Sequence, residues 1–287
     1  MSGNPLRTYL EMIKVEHTLF ALPFAFLGMV MASDGWPAWS TVGWIVVAMV
    51  GARSAAMGFN RLVDRNIDAT NPRTADRHIP AGLLTPGAVR VFVAASLGLL
   101  VLAAWRLNPL ALKLSPIAIT VVLVYSYTKR FTFLSHVVLG LGISAAPLGA
   151  WIAVRGEVAP AAFVLAFVVL CWVAGFDVLY ALQDVDFDRV QGLHSIPARF
   201  GVVGALWFSA TLHALMLAAL VGLPLVHSEP LGAGYWAGVA GCVALLFFQH
   251  WVVRPNDLSR LNAAFFQANG SLAVWLFAAT AVDIVLL

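Results

Sequence analysis

The sequence predicts an all-α polytopic membrane protein with nine transmembrane helices in a bundle. Three observations carry that expectation. The 287 residues are 61% hydrophobic and 11% charged, with a mean hydropathy of +0.88. A soluble domain is about a quarter charged, so a chain this poor in polar groups takes lipid as its solvent. Nine apolar runs follow one another, at 17–33, 38–59, 88–107, 109–127, 134–154, 158–181, 201–226, 231–253 and 263–287. Each approaches the roughly 20 residues that a helix needs to cross a bilayer. They are uniformly apolar, whereas the strands of a membrane barrel alternate. Finally, the basic residues fall on one side of the membrane.

The net charge is +3. In a soluble protein the basic balance would raise nucleic acid as a partner. Here the basic residues sit in connections, so they set topology and meet anionic lipid or substrate. Neither a nucleic-acid partner nor an obligate protein partner is expected. With the N-terminus in the cytoplasm, that side carries Arg7, Lys14, Arg61, Arg65, Arg73, Arg77, Arg90, Lys129, Arg130, Arg189, Arg199, Arg254 and Arg260, thirteen of the 17. The opposite side carries Arg106, Lys113 and Arg155, and Arg53 lies within the second run. The positive-inside rule then gives a multi-pass membrane protein with its N-terminus in the cytoplasm. Both long polar connections, 61–87 and 183–200, face the cytoplasm.

In chain order, the first run follows Arg7 and Lys14 as a signal peptide's apolar region would. With further spans behind it and no convincing cleavage site, it reads as a retained helix. Glu16 and His17 at its start are expected at the interface. The second run leads into an acidic stretch, and so does the sixth. Asn108-Pro109 is a tight connection between the third and fourth runs. The fourth run ends in Tyr125-Ser-Tyr127-Thr-Lys129-Arg130. Cys171 and Cys242 lie in apolar runs and read as small packing residues. His136 and His213 read as hydrogen-bonded core residues, and His250, beside Trp251, as part of an interfacial belt. The chain reads as a single domain, 1–287.

The acidic stretches carry the chemistry. In the first, Arg53, Asn60, Asp64 and Asp68 share one face, because successive residues turn about 100°. Asn60, Asp64 and Asp68 stack on consecutive turns. In the second, Asp177-Val-Leu-Tyr180-Ala-Leu-Gln-Asp184-Val-Asp186-Phe-Asp188, an unbroken helix would put Asp184 and Asp188 within about 20° of Asp177 and Tyr180 within about 60°. Asp186 would point away. Acids at a membrane helix end are costly unless paired or metal-bound. Carboxylate oxygens without His or Cys suit Mg²⁺, which bridges carboxylates to substrate phosphates. Asn60, Asp64, Asp68, Asp184 and Asp188 are therefore the expected metal ligands. Arg73 and Arg77 in the following loop, with Lys129 and Arg130, are suited to diphosphate oxygens. The two clusters are expected to form one metal–diphosphate site.

At these residues the chain resembles the UbiA superfamily of intramembrane aromatic prenyltransferases. The matching stretches are Asn60-Arg-Leu-Val-Asp64-Arg-Asn-Ile-Asp68, Asp177 to Asp188, and the loop Arg73-Thr-Ala-Asp-Arg77-His-Ile-Pro80-Ala-Gly82. Arg61 stands where many relatives have aspartate. The resemblance implies a bundle around a central cavity open to lipid. It implies transfer of a polyprenyl group from polyprenyl diphosphate to a ring carbon of an aromatic acid, with Mg²⁺. Asp64, Asp177 and Asp184 would be catalytic. Arg53, Arg73, Arg77, Tyr127, Lys129, Arg130 and Tyr180 would bind substrates, with Arg53 reaching the acceptor carboxylate or pairing with Asp177 or Asp68. Among acceptors, 4-hydroxybenzoate of ubiquinone synthesis is favoured over a dihydroxynaphthoate of menaquinone synthesis. The Met that haem O synthases usually carry shortly after the first motif is absent from Asp68-Ala-Thr-Asn-Pro-Arg73. A transporter is the rival class, since intramembrane acids also mark ion pathways.

Overall fold

A computed structural model describes residues 5–14, 18–258, 260–261 and 264–286. Eleven α-helices make up the described chain: α1 (Pro5–Met12), α2 (Thr18–Ser33), α3 (Trp39–Thr70), α4 (Pro86–Leu107), α5 (Pro109–Thr128), α6 (Ser135–Arg155), α7 (Pro160–Tyr180), α8 (Val185–Val190), α9 (Ile196–Gly222), α10 (Ala233–Val252) and α11 (Asn269–Leu286). Among the described residues, eight helical segments are long and apolar enough to span a bilayer. The ninth expected span is α2, whose 16 residues rise about 24 Å. Glu16 and His17 lie outside the described residues. A short amphipathic α1 precedes α2, and the sequence reading did not anticipate it. Its Tyr9 stacks on Phe92 of α4 at 4.9 Å.

The starts of α4 and α5 follow from their sequences. Thr85 and Asn108 accept from the backbone N–H groups of Ala88 and Ala111, with proline in the first helical turn. Proline needs no N–H there, and the cap satisfies a donor that would otherwise be orphaned. Pro23, Pro116 and Pro147 sit inside helices, as neighbouring helices in a membrane bundle permit.

The helices pack in two runs that meet at α6: α3 on α4, α4 on α5, α5 on α6, α6 on α7 and α7 on α9; and α10 on α11, α11 on α2 and α2 on α6. Lipid provides no hydrophobic drive between helices, so close packing of small residues must hold them. A Cβ on Gly140 would stand 2.5 Å from the carbonyl oxygen of Leu170, which fixes α6 tightly against α7. Gly51 does the same for α3 against Ser96 and Leu100 of α4. The most enclosed helix is α7. Its Trp172 is fully buried, packs on Phe24 at 4.8 Å and donates to Asn269 Oδ1 at 3.0 Å. Trp105, Trp207 and Phe247 point outward, with 62 to 72% exposure, onto the lipid-facing surface. Cys171 and Cys242 are free and buried.

Candidate active site

The site lies where α3, α5, α6 and α7 end or begin on one side of the bundle. Asp64 is its most enclosed acid, 2% exposed. Its Oδ2 accepts from Lys129 Nζ at 2.6 Å and from Asn60 Nδ2 at 3.1 Å, and its Oδ1 from Arg130 at 3.0 Å. One turn on, buried Asp68 accepts from Arg77 at 2.7 Å. The loop after α3 then crosses to the second cluster. Arg73 grips Asp184 with two N–H groups, and Asn71 donates to the same carboxylate at 3.3 Å. Burial opposes the Arg73 charge, yet the bond to Asp184 raises the guanidinium above its ordinary value. The two acidic stretches are thus one site, stitched together by Asn71 and Arg73.

The second stretch is not one continuous helix. The last turn of α7 closes through the Ala181 N–H onto Asp177, and a 3₁₀ segment, Ala181–Asp184, precedes α8. A 3₁₀ helix advances about 120° per residue against about 100° in an α-helix, so four residues swing Asp184 by about 80° from the expected direction. Asp184 then meets Arg73, while Asp188 moves onto α8 and accepts from Ser195 Oγ at 2.8 Å. Asp186 is exposed.

Tyr127 also differs from expectation. It is 44% exposed, lies edge-on to Phe59 at 5.9 Å and sits under Arg130 on the outer flank. Tyr125 is the tyrosine that lines the internal cavity. Two residues along a helix point in nearly opposite directions, so only one of the pair can face inward. Tyr180 is placed with the site, 5.7 Å beneath the Arg73 guanidinium.

Three further side chains bond the acids of the site: His136, which the sequence places as a hydrogen-bonded core residue, and Asn71 and Ser195, which it does not single out. His136 donates from Nδ1 to Asp177 Oδ2 at 2.7 Å, while its Nε2 accepts from the Ile196 N–H at 3.4 Å. That second bond fixes the tautomer. Asn71 and Ser195 complete the set. Ser195 had a legible signal, since a serine just before Ile196-Pro197 is an N-cap and caps Ala198 here. His250 is not only a belt residue: it pairs with His213 at 2.8 Å inside the bundle.

Beside the acids, an apolar cavity of about 380 Å³ runs between α3, α4, α5 and α6. Arg53 and Tyr125 line its inner end, and Ala111 and Ala153 its far end. Ile117 and Leu141, both lining residues, are 62% and 46% exposed, so the cavity opens sideways toward lipid.

Among the described residues no three acidic, imidazole or thiol groups form an ion cage of their own. Magnesium does not need one, because it is held by one or two carboxylates together with substrate phosphates and water. The residues fit that role: their donors are hard oxygens, and Asp68 Oδ2 is buried with no hydrogen-bond partner among the described residues.

Residues 21–277 match the UbiA prenyltransferase family. The chain belongs to this family. It is 30% identical to the 4-hydroxybenzoate octaprenyltransferase of Aliivibrio fischeri over 83% of each chain. It is 30% identical to that of Vibrio cholerae over 94% of this chain and 95% of the relative. In structure it is similar to an apo UbiA homologue from Aeropyrum pernix, with a TM-score of 0.84 and 31% identity over 94% and 98% of the two chains. A UbiA homologue from Archaeoglobus fulgidus bound to GPP and Mg²⁺ shares the fold, with a TM-score of 0.73 and 18% identity over 96% and 100% of the two chains. The chain is a polytopic membrane prenyltransferase of this family.

Proposed function

We propose that the protein transfers a polyprenyl group from polyprenyl diphosphate to a ring carbon of 4-hydroxybenzoate, releasing diphosphate, in ubiquinone synthesis. The observation that carries this is the junction of one charged site with one apolar cavity. Lys129, Arg130, Arg73 and Arg77 each already hold a carboxylate, at Asp64, Asp184 or Asp68. A diphosphate anion offers Lys129, Arg73 and Arg77 an exchange of partners, and the freed carboxylates are the groups that would hold Mg²⁺. Asn60, Asp64, Asp68, Asp184 and Asp188 would hold it; when bound, it neutralises charge on the leaving diphosphate. The tail lies along the apolar cavity, which excludes water from the allylic cation. Arg53, at the cavity's inner end, faces the acceptor's carboxylate. The ring proton leaves to a carboxylate of the cluster, with Asp177 oriented by His136.

The names of the relatives support the choice of acceptor, and the excess of lysine and arginine supports a site facing the cytoplasm of the inner membrane. The test is an acceptor panel with radiolabelled polyprenyl diphosphate and Mg²⁺ on purified protein. Incorporation into 4-hydroxybenzoate, with diphosphate released, is expected. Preference for a dihydroxynaphthoate would move the enzyme to menaquinone synthesis. Absence of diphosphate release with every acceptor would reject the reading.

A further inference from the structure

A second groove, of about 620 Å³, lies on the outer flank of α3, α4 and α5. Of its lining, Arg130 alone also bonds an acid of the site described above. Three arginines, Arg65, Arg90 and Arg130, line it, and no acid does. Arg65 and Arg90 are exposed. Arg65 makes a hydrogen bond to the Leu62 carbonyl at 3.0 Å, which leaves its charge uncompensated by any acid in the groove. Arg90 takes part in no ion pair among the described residues. Phe59, Val93 and Leu97 form the groove's apolar floor, and Tyr127 covers one side. From Arg90 to Leu97 the floor extends about 10 Å along α4 toward the bilayer interior.

A cationic rim over an apolar trough at the end of membrane helices is complementary to one kind of molecule, an amphiphile with a phosphate head. We propose that this groove is a binding site for an anionic phospholipid, its phosphate held by Arg65 and Arg90 and the start of an acyl chain lying over Val93 and Leu97. Basic pockets between transmembrane helices take such headgroups. Arg130 forms the wall between groove and active site, since its guanidinium bonds the Val63 carbonyl and Asp64 at 3.0 Å each. The lipid head therefore sits one side chain away from the catalytic acids without entering them.

The test uses the full chain in phosphatidylcholine nanodiscs doped with phosphatidylglycerol, with retained lipid read by native mass spectrometry. The variant is Arg65→Gln/Arg90→Gln, which alters two exposed side chains and leaves the fold intact. Each basic residue near an anionic lipid contributes about fivefold in binding, so the double variant is expected to retain phosphatidylglycerol about thirtyfold more weakly. Inorganic phosphate alone is expected not to displace the lipid, and the KM for polyprenyl diphosphate is expected to stay unchanged. Equal retention by both proteins would overturn the proposal. Displacement by inorganic phosphate would make the groove a free-anion site, and a raised KM would make it a substrate entrance; either result also overturns it.

Discussion

Replacing Asp64 with asparagine removes one charge and little volume from the most enclosed acid of the site. The stability cost follows from which partners it leaves behind. Breaking a buried ion pair costs about 3–5 kcal/mol when the orphaned charge cannot reach water, and an exposed pair is worth about 0.2–1 kcal/mol. Asp64 is 2% exposed, but Lys129 and Arg130 are each 31% exposed. The cations left behind can therefore be hydrated, and an amide at position 64 can still bond Asn60. The expected loss is about 1–2 kcal/mol, toward the lower bound, or a fall in Tm of about 2–8 °C for a chain of this size. Catalysis should suffer far more. On the proposed assignment Mg²⁺ would lose a ligand and the leaving diphosphate its counter-charge, a loss of at least about a hundredfold in kcat. Thermal denaturation in detergent, paired with diphosphate release over a range of Mg²⁺ concentrations, separates the two effects. A variant with near-normal turnover and an unchanged Mg²⁺ requirement would refute the assignment of Asp64 to the metal site. A collapse in Tm with proportionate loss of activity would make the residue purely structural.

Other expectations follow from the same geometry. His136→Gln should lower kcat by about ten- to a hundredfold with little change in KM, because Asp177 stays but loses its orientation; equal changes in both constants would place His136 in substrate binding instead. Asp186→Asn should leave turnover within about twofold, since the side chain is exposed and lies off the site; a loss matching that of Asp184→Asn would show that Asp186 also reaches the site. Gly140→Leu should destabilise the bundle by about 1–3 kcal/mol or more, seen as a lowered thermal midpoint, because the new side chain meets the Leu170 carbonyl. An unchanged midpoint there would mean that α6 and α7 can separate at no cost.

Much of the site was legible because helical periodicity acts locally. Asn60, Asp64 and Asp68 lie in one unbroken helix, so about 100° per residue was enough to place them together. The same rule misplaced Asp184, because nothing local announces that α7 ends at Tyr180. The break accompanies contacts from 111 and 113 residues away, the Arg73 and Asn71 side chains on the Asp184 carboxylate. That Tyr125 and not Tyr127 lines the cavity has a related reason. The two have the same chemistry, and only the packing of α5 against α3 and α6 decides which of them faces the cavity.

The sequence by itself determined that the chain spans a membrane, that most of its basic residues gather at one end of the helices, and that two acidic helix ends must meet cations. Those properties depend on composition and on spacing within single helices. The tertiary structure alone decided which cation holds which acid, that His136 and not a neighbour on its own helix orients Asp177, and where the cavity opens. Each of these is a contact between helices distant in sequence, set by how closely glycines such as Gly51 and Gly140 let backbones approach. Helical periodicity places a residue on a face; it does not say which helix packs against that face.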